Sequence, residues 1–175
     1  KKILFVAGFN EGSTNISQLE ALKKLGYEVH SYHYRDDLEN VNTVLQSITG
    51  FDILLIAKGN TISPQSIKRF KENNNCKTVY WFPDAKCNYT KEMKDKAEAC
   101  DIVFFDKKNV LELDNRDNYH WVCEGFDSKV DFLHESIEQE IDISFIGDVA
   151  NWPHRQKMLS GIQDLQIINN VYGTD

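Results

Sequence analysis

Short apolar runs alternate with amphipathic segments along most of this chain. Four of the runs read "KILFVAG" (2–8), "FDILLIAKG" (51–59), "KTVYWF" (77–82) and "DIVFFD" (101–106). Such continuous apolar character is typical of strands buried on both faces, and intervening helices connect such strands by right-handed crossovers in a parallel sheet. The pattern predicts an α/β fold: a doubly wound, mainly parallel Rossmann-like sheet with helices on both faces. We expect a strand order set by two βαβαβ halves.

Two further runs are more polar and are predicted as the second and sixth strands. They read "YEVHSYHY" (27–34) and "NYHWVCEG" (118–125). Between the strands, "ISQLEALKKLG" (16–26) places its leucines on one helical face, and "VNTVLQSITG" (41–50) does the same with valine and leucine. A short helix is predicted around "NVLELD" (109–114).

Helix starts are marked by residues that cap the first turn. Ser63 is predicted as an N-cap with Pro64 as the first helical residue, and Pro153 opens a later helix in the same way. Within "KEMKDKAEAC", Glu92 and Lys96 are four residues apart and are predicted to form an ion pair on the solvent side of a helix.

The chain divides into three parts by composition. Residues 1–126 hold the predicted Rossmann-like domain, and residues 127–141 are polar and acidic, as expected of a connection. Residues 142–175 then read strand, loop, helix and strand, which predicts the first βαβ unit of a second domain. An isolated βαβ unit cannot bury its own faces, so it either extends the first sheet or begins a second one. The length and polarity of the connection favour the second, and we expect the rest of that domain to lie beyond this chain.

Charge and cysteine usage narrow the class of protein. The formal net charge is −7, which argues against nucleic acid or an anionic membrane as the main partner. No apolar run approaches the roughly 20 residues that span a bilayer. The four cysteines form no CxxC pair, Cys100 and Cys123 are predicted as buried thiols, and a cytoplasmic location is expected. His30 and His33 should point to opposite faces of a strand, so no metal site is predicted.

The loop after the first strand is a candidate binding site. It contains Gly8, Asn10, Glu11, Gly12 and Ser13 and leads into a helix. Its glycines permit close backbone approach, and a helix N-terminus favours an anion or a hydroxylated ligand. The alternative interpretation is a tight turn whose polar residues cap the helix.

Asp84 is the candidate catalytic residue. It follows the "VYWF" strand at the carboxyl edge of the predicted sheet, where ligands bind in open α/β folds. A carboxylate there can bind sugar hydroxyls or act as a base. The alternative is that Asp84 caps the next helix.

A second candidate site lies near the end of the chain. Gly147 ends a predicted strand, and Arg155 falls in the first turn of the helix that Pro153 opens. Free N–H groups and a guanidinium could converge there on a phosphate. The alternative is an exposed ion pair between Arg155 and Asp148.

Four segments, "YWFPDA", "YHWVCEGFDSKVDF", "DISFIGDVANWPHR" and "IINNVYG", occur in the order and spacing seen in one enzyme family. They resemble the CgeB-like glycosyltransferases of the GT-B group. The family motif at the end of the N-terminal domain is matched by Gly125, Asp127 and Phe132, while Glu124 stands where the family has asparagine. The first strand of the second domain is matched by "FIG" (145–147), followed downstream by Arg155.

The resemblance implies transfer of a sugar from a nucleotide-diphosphate donor to an acceptor held mainly by the N-terminal domain. It implies that Gly8, Asn10, Glu11, Gly12 and Ser13 serve the acceptor. It also implies that Gly147 and Arg155 serve the donor diphosphate, without a metal or other cofactor. Two alternatives stay open: a non-catalytic Rossmann-like binding module, and a sugar-nucleotide epimerase of the same fold.

The expected assignment of the acceptor to the first domain and of the donor to the second gives a first prediction. Because the donor grip in this fold comes mostly from the second domain, these 175 residues should bind nucleotide sugars weakly and be a poor catalyst. Calorimetric titration with UDP-, GDP- and TDP-sugars checks this, and a micromolar dissociation constant would contradict it.

Overall fold

A computed structural model describes residues 1–114, 116–125, 127, 129 and 153–164. The chain forms two compact units, Lys1–Ser128 and Lys129–Asp175. The predicted strand around "DISFIG", the predicted final strand and the connection at 130–141 lie outside the described residues, as does Gly147.

The first unit contains a six-stranded sheet in which all neighbouring strands are parallel. This confirms the predicted α/β class with a Rossmann-like, doubly wound sheet. The strands are β1 (Lys2–Ala7), β2 (Glu28–His33), β3 (Ile53–Ala57), β4 (Lys77–Phe82), β5 (Ile102–Phe105) and β6 (Tyr119–Trp121). The four runs predicted as buried strands agree with the structure to within two residues at each end.

The strand order is β2-β1-β3-β4-β5-β6, so the order expected from two βαβαβ halves is wrong. That arrangement would put β3 at an edge and β2 inside the sheet. The composition of the two strands explains why the order differs. Three of the six β2 residues are exposed, whereas "ILLIA" of β3 is apolar throughout. A polar strand suits a sheet edge, and an apolar one suits the interior.

Four α-helices connect these strands, and another lies in the second unit. They are α1 (Thr14–Lys24), α2 (Val41–Ser47), α3 (Pro64–Asn74), α4 (Lys91–Glu98) and, in the second unit, α5 (Pro153–Asp164). The predicted start of α3 is confirmed, because Ser63 Oγ accepts a hydrogen bond from Ser66 N at 3.1 Å and Pro64 follows the cap. The helix predicted around 109–114 is only a 3-10 turn, Lys108–Val110. No described helix is long and apolar enough to span a bilayer.

The two faces of the sheet carry cores of unequal size. Helices α2, α3 and α4 pack on one face, where Leu4, Val6 and Tyr80 belong to the larger apolar cluster. Helix α1 packs on the other face, against a smaller cluster that includes Ile3 and Phe5. Right-handed crossovers give this distribution, because the chain moves one way from β1 to β2 and the opposite way through the later strands.

The predicted solvent-side pair of Glu92 and Lys96 needs correction. The Nζ–Oε1 distance is 3.6 Å, but the Lys96 side chain is fully buried while the Glu92 side chain is 61% exposed. Lys96 lies on the same face of α4 as buried Met93 and Ala97, and its ammonium donates a hydrogen bond to the carbonyl of Gly59 at 2.5 Å. The predicted helical spacing of Glu92 and Lys96 is confirmed. A charge pair at that spacing does not indicate whether the lysine lies on the buried or the exposed face of the helix.

Asp101, just before β5, links neighbouring elements at the amino edge of the sheet through hydrogen bonds. Its carboxylate accepts hydrogen bonds from Lys71 Nζ at 2.5 Å, from Thr78 N at 2.8 Å and from Thr78 Oγ1 at 3.1 Å. Burial acts to raise the pKa of Asp101, but the Lys71 and Thr78 hydrogen bonds outweigh it and hold the pKa below its ordinary value. The contact joins α3, β4 and β5.

We predict that Asp101→Ala lowers the free energy of unfolding at pH 7 by about 2–3 kcal/mol, because it removes hydrogen bonds to a charged, mostly buried group. Urea unfolding followed by circular dichroism measures the loss. A depressed carboxyl pKa contributes stability that is present above the unfolded-state value, about 3.9, and is lost as the pH falls through the folded-state value. The difference between variant and wild type should therefore shrink in acid below about pH 4.

The matched control is Asp95→Ala. Asp95 pairs with Lys91 at 3.5 Å, and that lysine side chain is 91% exposed. Exposed pairs of this kind contribute about 0–1 kcal/mol. Equal losses for the two variants would contradict the role assigned to Asp101.

Candidate functional site

All six strands are parallel, so their carboxyl ends lie at one edge of the sheet. The strand order reverses direction between β1 and β3, which makes the loops after these strands the expected position for a ligand. Charged and polar residues occupy the loops after β1, β2, β3, β4, β5 and β6. They fall into two groups, one around Asp84 and one around the β1–α1 loop.

Asp84 lies two residues beyond β4 and pairs with Lys58 from the loop after β3. The distance from Lys58 Nζ to Asp84 Oδ2 is 3.0 Å, and about a third of each side chain is exposed (33% and 31%). The next α-helix is capped instead by Thr90, whose hydroxyl accepts from Met93 N at 3.5 Å. The alternative interpretation of Asp84 as the cap of that helix is therefore wrong.

Lys58 holds an unusual backbone conformation. Its φ is 63°, and that of Gly59 is 60°, so two consecutive residues are left-handed. A non-glycine residue pays a steric cost in this region, and such strain tends to occur at functional sites. Sequence reasoning missed Lys58, because a lysine directly after a strand is normally an unremarkable surface residue.

Asp106 and Glu124 join the ends of β5 and β6. Asp106 is 6% exposed and contacts Lys107 Nζ through Oδ2. Its Oδ1 accepts from Glu124 N at 2.8 Å, and its backbone carbonyl accepts from Trp121 Nε1 at 3.0 Å. A carboxylate after a buried strand, in "FFD", was the available sequence signal for Asp106.

The charged side chains around Glu124 shift the pKa of its carboxyl. Partial burial of the carboxyl is the main cause that raises its pKa, followed by the negative charge of Asp106. Asp84 acts in the same direction, while Lys107 and Lys58 act against it. Glu124 is thus electrostatically coupled to both ion pairs, and perturbed carboxyls of this kind concentrate at functional sites.

A depression of about 530 Å³ lies beside Asp106 and Glu124. It is lined by Asp106, Lys107, Lys108, Asn109, Trp121, Cys123 and Glu124. Trp121 is 46% exposed, and Lys108 Nζ lies 5.9 Å from the centre of its ring. Cys100 is buried as predicted, but the prediction for Cys123 is wrong, since this thiol is exposed in the loop after β6.

The candidate loop after β1 closes on itself. Ser13 caps α1 and accepts from Asn15 N at 3.3 Å, and the side chains of Ser13 and Asn15 both donate to the Gly8 carbonyl, at 2.9 and 2.8 Å. Gly12 has a φ of 75°, and Glu11 is exposed. These contacts are those of the tight capped turn that was the alternative interpretation, and they do not test a binding role.

Arg35 adds a cation to this loop. Its Nη1 donates to Asn10 Oδ1 at 3.2 Å, and a Cβ placed at Gly8 would come within 2.8 Å of Arg35 Nε. The absence of a side chain at Gly8 leaves the space that the guanidinium occupies. Sequence reasoning missed Arg35, because its position depends on which strand lies next to β1.

In the second unit, Arg155 is the third residue of α5 and is partly exposed, and Pro153 is the first residue, as predicted. Among the described residues, no group of three or more histidine, cysteine or acidic side chains could hold a metal ion. The rings of His30 and His33 contact Phe51 and Phe9, which belong to opposite faces of the sheet, so their predicted opposition is confirmed.

The fold and its polar carboxyl edge define a doubly wound α/β protein with an all-parallel sheet. No model of a known protein family and no curated protein sequence matches this chain.

The coupling between Glu124 and its neighbours gives a prediction. In carbon-detected NMR titrations, the Glu124 carboxyl should titrate above the ordinary glutamate value of about 4.3. Asp84→Asn should lower the pKa of Glu124, because a nearby negative charge is removed, and Lys58→Met should raise it. Asp95→Asn, on α4, serves as the control that leaves it unchanged. Identical curves in all variants would show that the two ion pairs and Glu124 are electrostatically separate.

Proposed function

We propose that this chain is the N-terminal, acceptor-side portion of a glycosyltransferase of the hexosyltransferase kind. It would help to move a sugar from a nucleotide-diphosphate donor to an acceptor hydroxyl. The support from sequence is the order of the four quoted segments, and the support from the fold is the doubly wound parallel sheet with polar groups along its carboxyl edge.

The observation that carries the proposal is the position of Asp84. Its carboxylate stands at the carboxyl edge, and Lys58 contacts Oδ2 at 3.0 Å. Within the described residues Oδ1 has no hydrogen-bond partner, so it is available to a substrate hydroxyl. In the proposed step Asp84 takes the hydroxyl proton, the acceptor oxygen bonds to the anomeric carbon, and the bond to the diphosphate oxygen breaks with its electron pair. A general base of this kind contributes about 10²–10⁴-fold to rate.

The acceptor would occupy the depression next to Trp121. An indole that is 46% exposed offers an apolar platform for a sugar ring. Asn109 and Glu124 line the same depression and can exchange hydrogen bonds with ring hydroxyls. The β1–α1 loop, with Gly8 and Ser13, lies at the same edge of the sheet and would complete the acceptor side.

The donor diphosphate would be held by the second unit. Arg155 falls in the first turn of α5, where the positive end of the helix dipole and the guanidinium both favour an anion. A charge-assisted contact of this type contributes roughly 1.5–3 kcal/mol. Gly147 is proposed to allow the diphosphate to approach the backbone, and the developing charge on the leaving group would need no resident metal.

The test uses the full-length protein, assayed with a panel of nucleotide sugars for transfer or hydrolysis. We predict that Asp84→Asn lowers kcat by about 10²-fold or more, because the base is lost. The melting temperature should change little, since the side chain lies in a loop and its one described ion pair is partly exposed, a kind of pair that contributes about 0–1 kcal/mol. Asp95→Asn is the matched control, and wild-type turnover in Asp84→Asn would remove Asp84 from the reaction.

A second variant in the same assay addresses the acceptor. Trp121→Ala should raise KM for the acceptor while leaving KM for the donor unchanged. Leu113→Ala is its control, because Leu113 is a comparably exposed apolar side chain (49%) that does not line the depression. If both variants behave alike, the depression is not the acceptor site.

A further inference from the structure

Lys96 is a fully buried lysine beneath the candidate site. Its side chain has no exposed surface, and desolvation lowers its pKa from the ordinary lysine value. A buried ammonium is costly unless it is well paired, and an apolar residue of similar volume would pack on this face of α4 without that cost. The lysine therefore needs a reason beyond filling the core.

The contacts of the ammonium supply the reason. Glu92 Oε1 is 3.6 Å away on a largely exposed side chain, so this pairing is loose. The short contact is the hydrogen bond to the carbonyl of Gly59, at 2.5 Å. The lysine reaches from α4 to the loop after β3, across 37 positions of sequence.

Gly59 is the second residue of the left-handed turn that carries Lys58. A side chain at this position would be strained, because its φ is 60°, and crowded, because a Cβ would lie 2.7 Å from Ile56 Cγ2 and 2.8 Å from Ile62 Cδ1. Lys58 precedes it with a φ of 63°, a conformation that an extended loop would relieve. Backbone hydrogen bonds from Lys58 N to the Trp81 carbonyl at 3.1 Å and from Ile62 N to the Gly59 carbonyl at 3.0 Å act against that strain, and the Lys96 ammonium adds the one side-chain contact described for the Gly59 carbonyl.

We propose that Lys96 is a positioning residue: its buried ammonium clamps the Gly59 carbonyl, keeps Lys58 in the left-handed conformation and thereby aims the Lys58 ammonium at Asp84. The effect on Asp84 is indirect, since the polar partners described for the Lys96 ammonium are the Gly59 carbonyl and the Glu92 carboxylate. The clamp concerns the conformation of the loop after β3 and does not depend on the proposed glycosyl transfer.

The direct test is the conformation of Lys58 in Lys96→Met, which keeps an unbranched apolar stem and removes the donor. A strong intraresidue NOE between the amide and α protons reports positive φ. We expect that NOE to weaken at Lys58 in the variant. Asn75, the other described non-glycine residue with positive φ, at 46°, lies at the end of α3 and should keep its NOE. An unchanged NOE at Lys58 overturns the proposal.

A double-mutant cycle tests the same clamp through stability. Lys58→Gly relieves the backbone strain, so loss of the Gly59 contact should cost less there, and Lys96→Met should give a more favourable change in Tm in the Lys58→Gly background than in wild type. Equal changes in Tm in both backgrounds overturn the clamp. If Lys96→Met does not fold, Lys96→Gln takes its place in both experiments, since its shorter amide cannot make the same contact with Gly59.

Glu92→Gln is the matched control on α4. It removes the loose partner of Lys96 and leaves the Gly59 contact in place, so the Lys58 NOE should persist. Loss of the NOE in this control would assign the clamp to the ion pair instead and overturn the proposal. None of these measurements uses a substrate, so failure of the clamp and failure of the proposed reaction are separately visible.

Discussion

Burial of β1 on both faces is the constraint on which the rest of the structure depends. Ile3 and Phe5 point into one apolar cluster and Leu4 and Val6 into the other, each 3% exposed or less. A strand covered on both sides needs helices on both sides, and helical crossovers make its neighbours parallel. Parallel strands end at one edge, so the requirement for burial also gathers the loops that carry Asp84, Lys58 and Glu124.

The sequence predicts those elements that depend on local pattern. Strand positions, the cap at Ser63 and the edge position of Asp84 follow from short stretches of residues and agree with the structure. The partners of Asp84 do not follow, because Lys58 becomes its neighbour only once β3 and β4 are adjacent in the sheet. The side of α4 that Lys96 occupies is likewise set by tertiary packing, which a charge pair at helical spacing does not encode.

Lysines at the carboxyl edge of the sheet partly neutralise the acidic side chains that lie there. The chain has 27 acidic and 20 basic residues, yet Asp84 and Asp106 each pair with a lysine, and Glu124 is coupled to both lysines and both aspartates. The paired cations reduce the repulsion that three nearby carboxylates would otherwise exert on one another. A bulk charge of −7 therefore gives little guidance on the local field at this edge.

The two edges of the sheet use their charged groups in opposite ways. At the amino edge, Asp101 is held by Lys71 and Thr78, and each bond lowers the energy of the folded chain. At the carboxyl edge, the backbone of Lys58 is strained and a lysine is buried beneath it, both of which raise that energy. Strain persists only where the surrounding contacts enforce it. The stabilising contacts at the amino edge therefore offset the cost at the carboxyl edge, where the Lys96 hydrogen bond to Gly59 and the backbone hydrogen bonds of the turn act against the strain at Lys58.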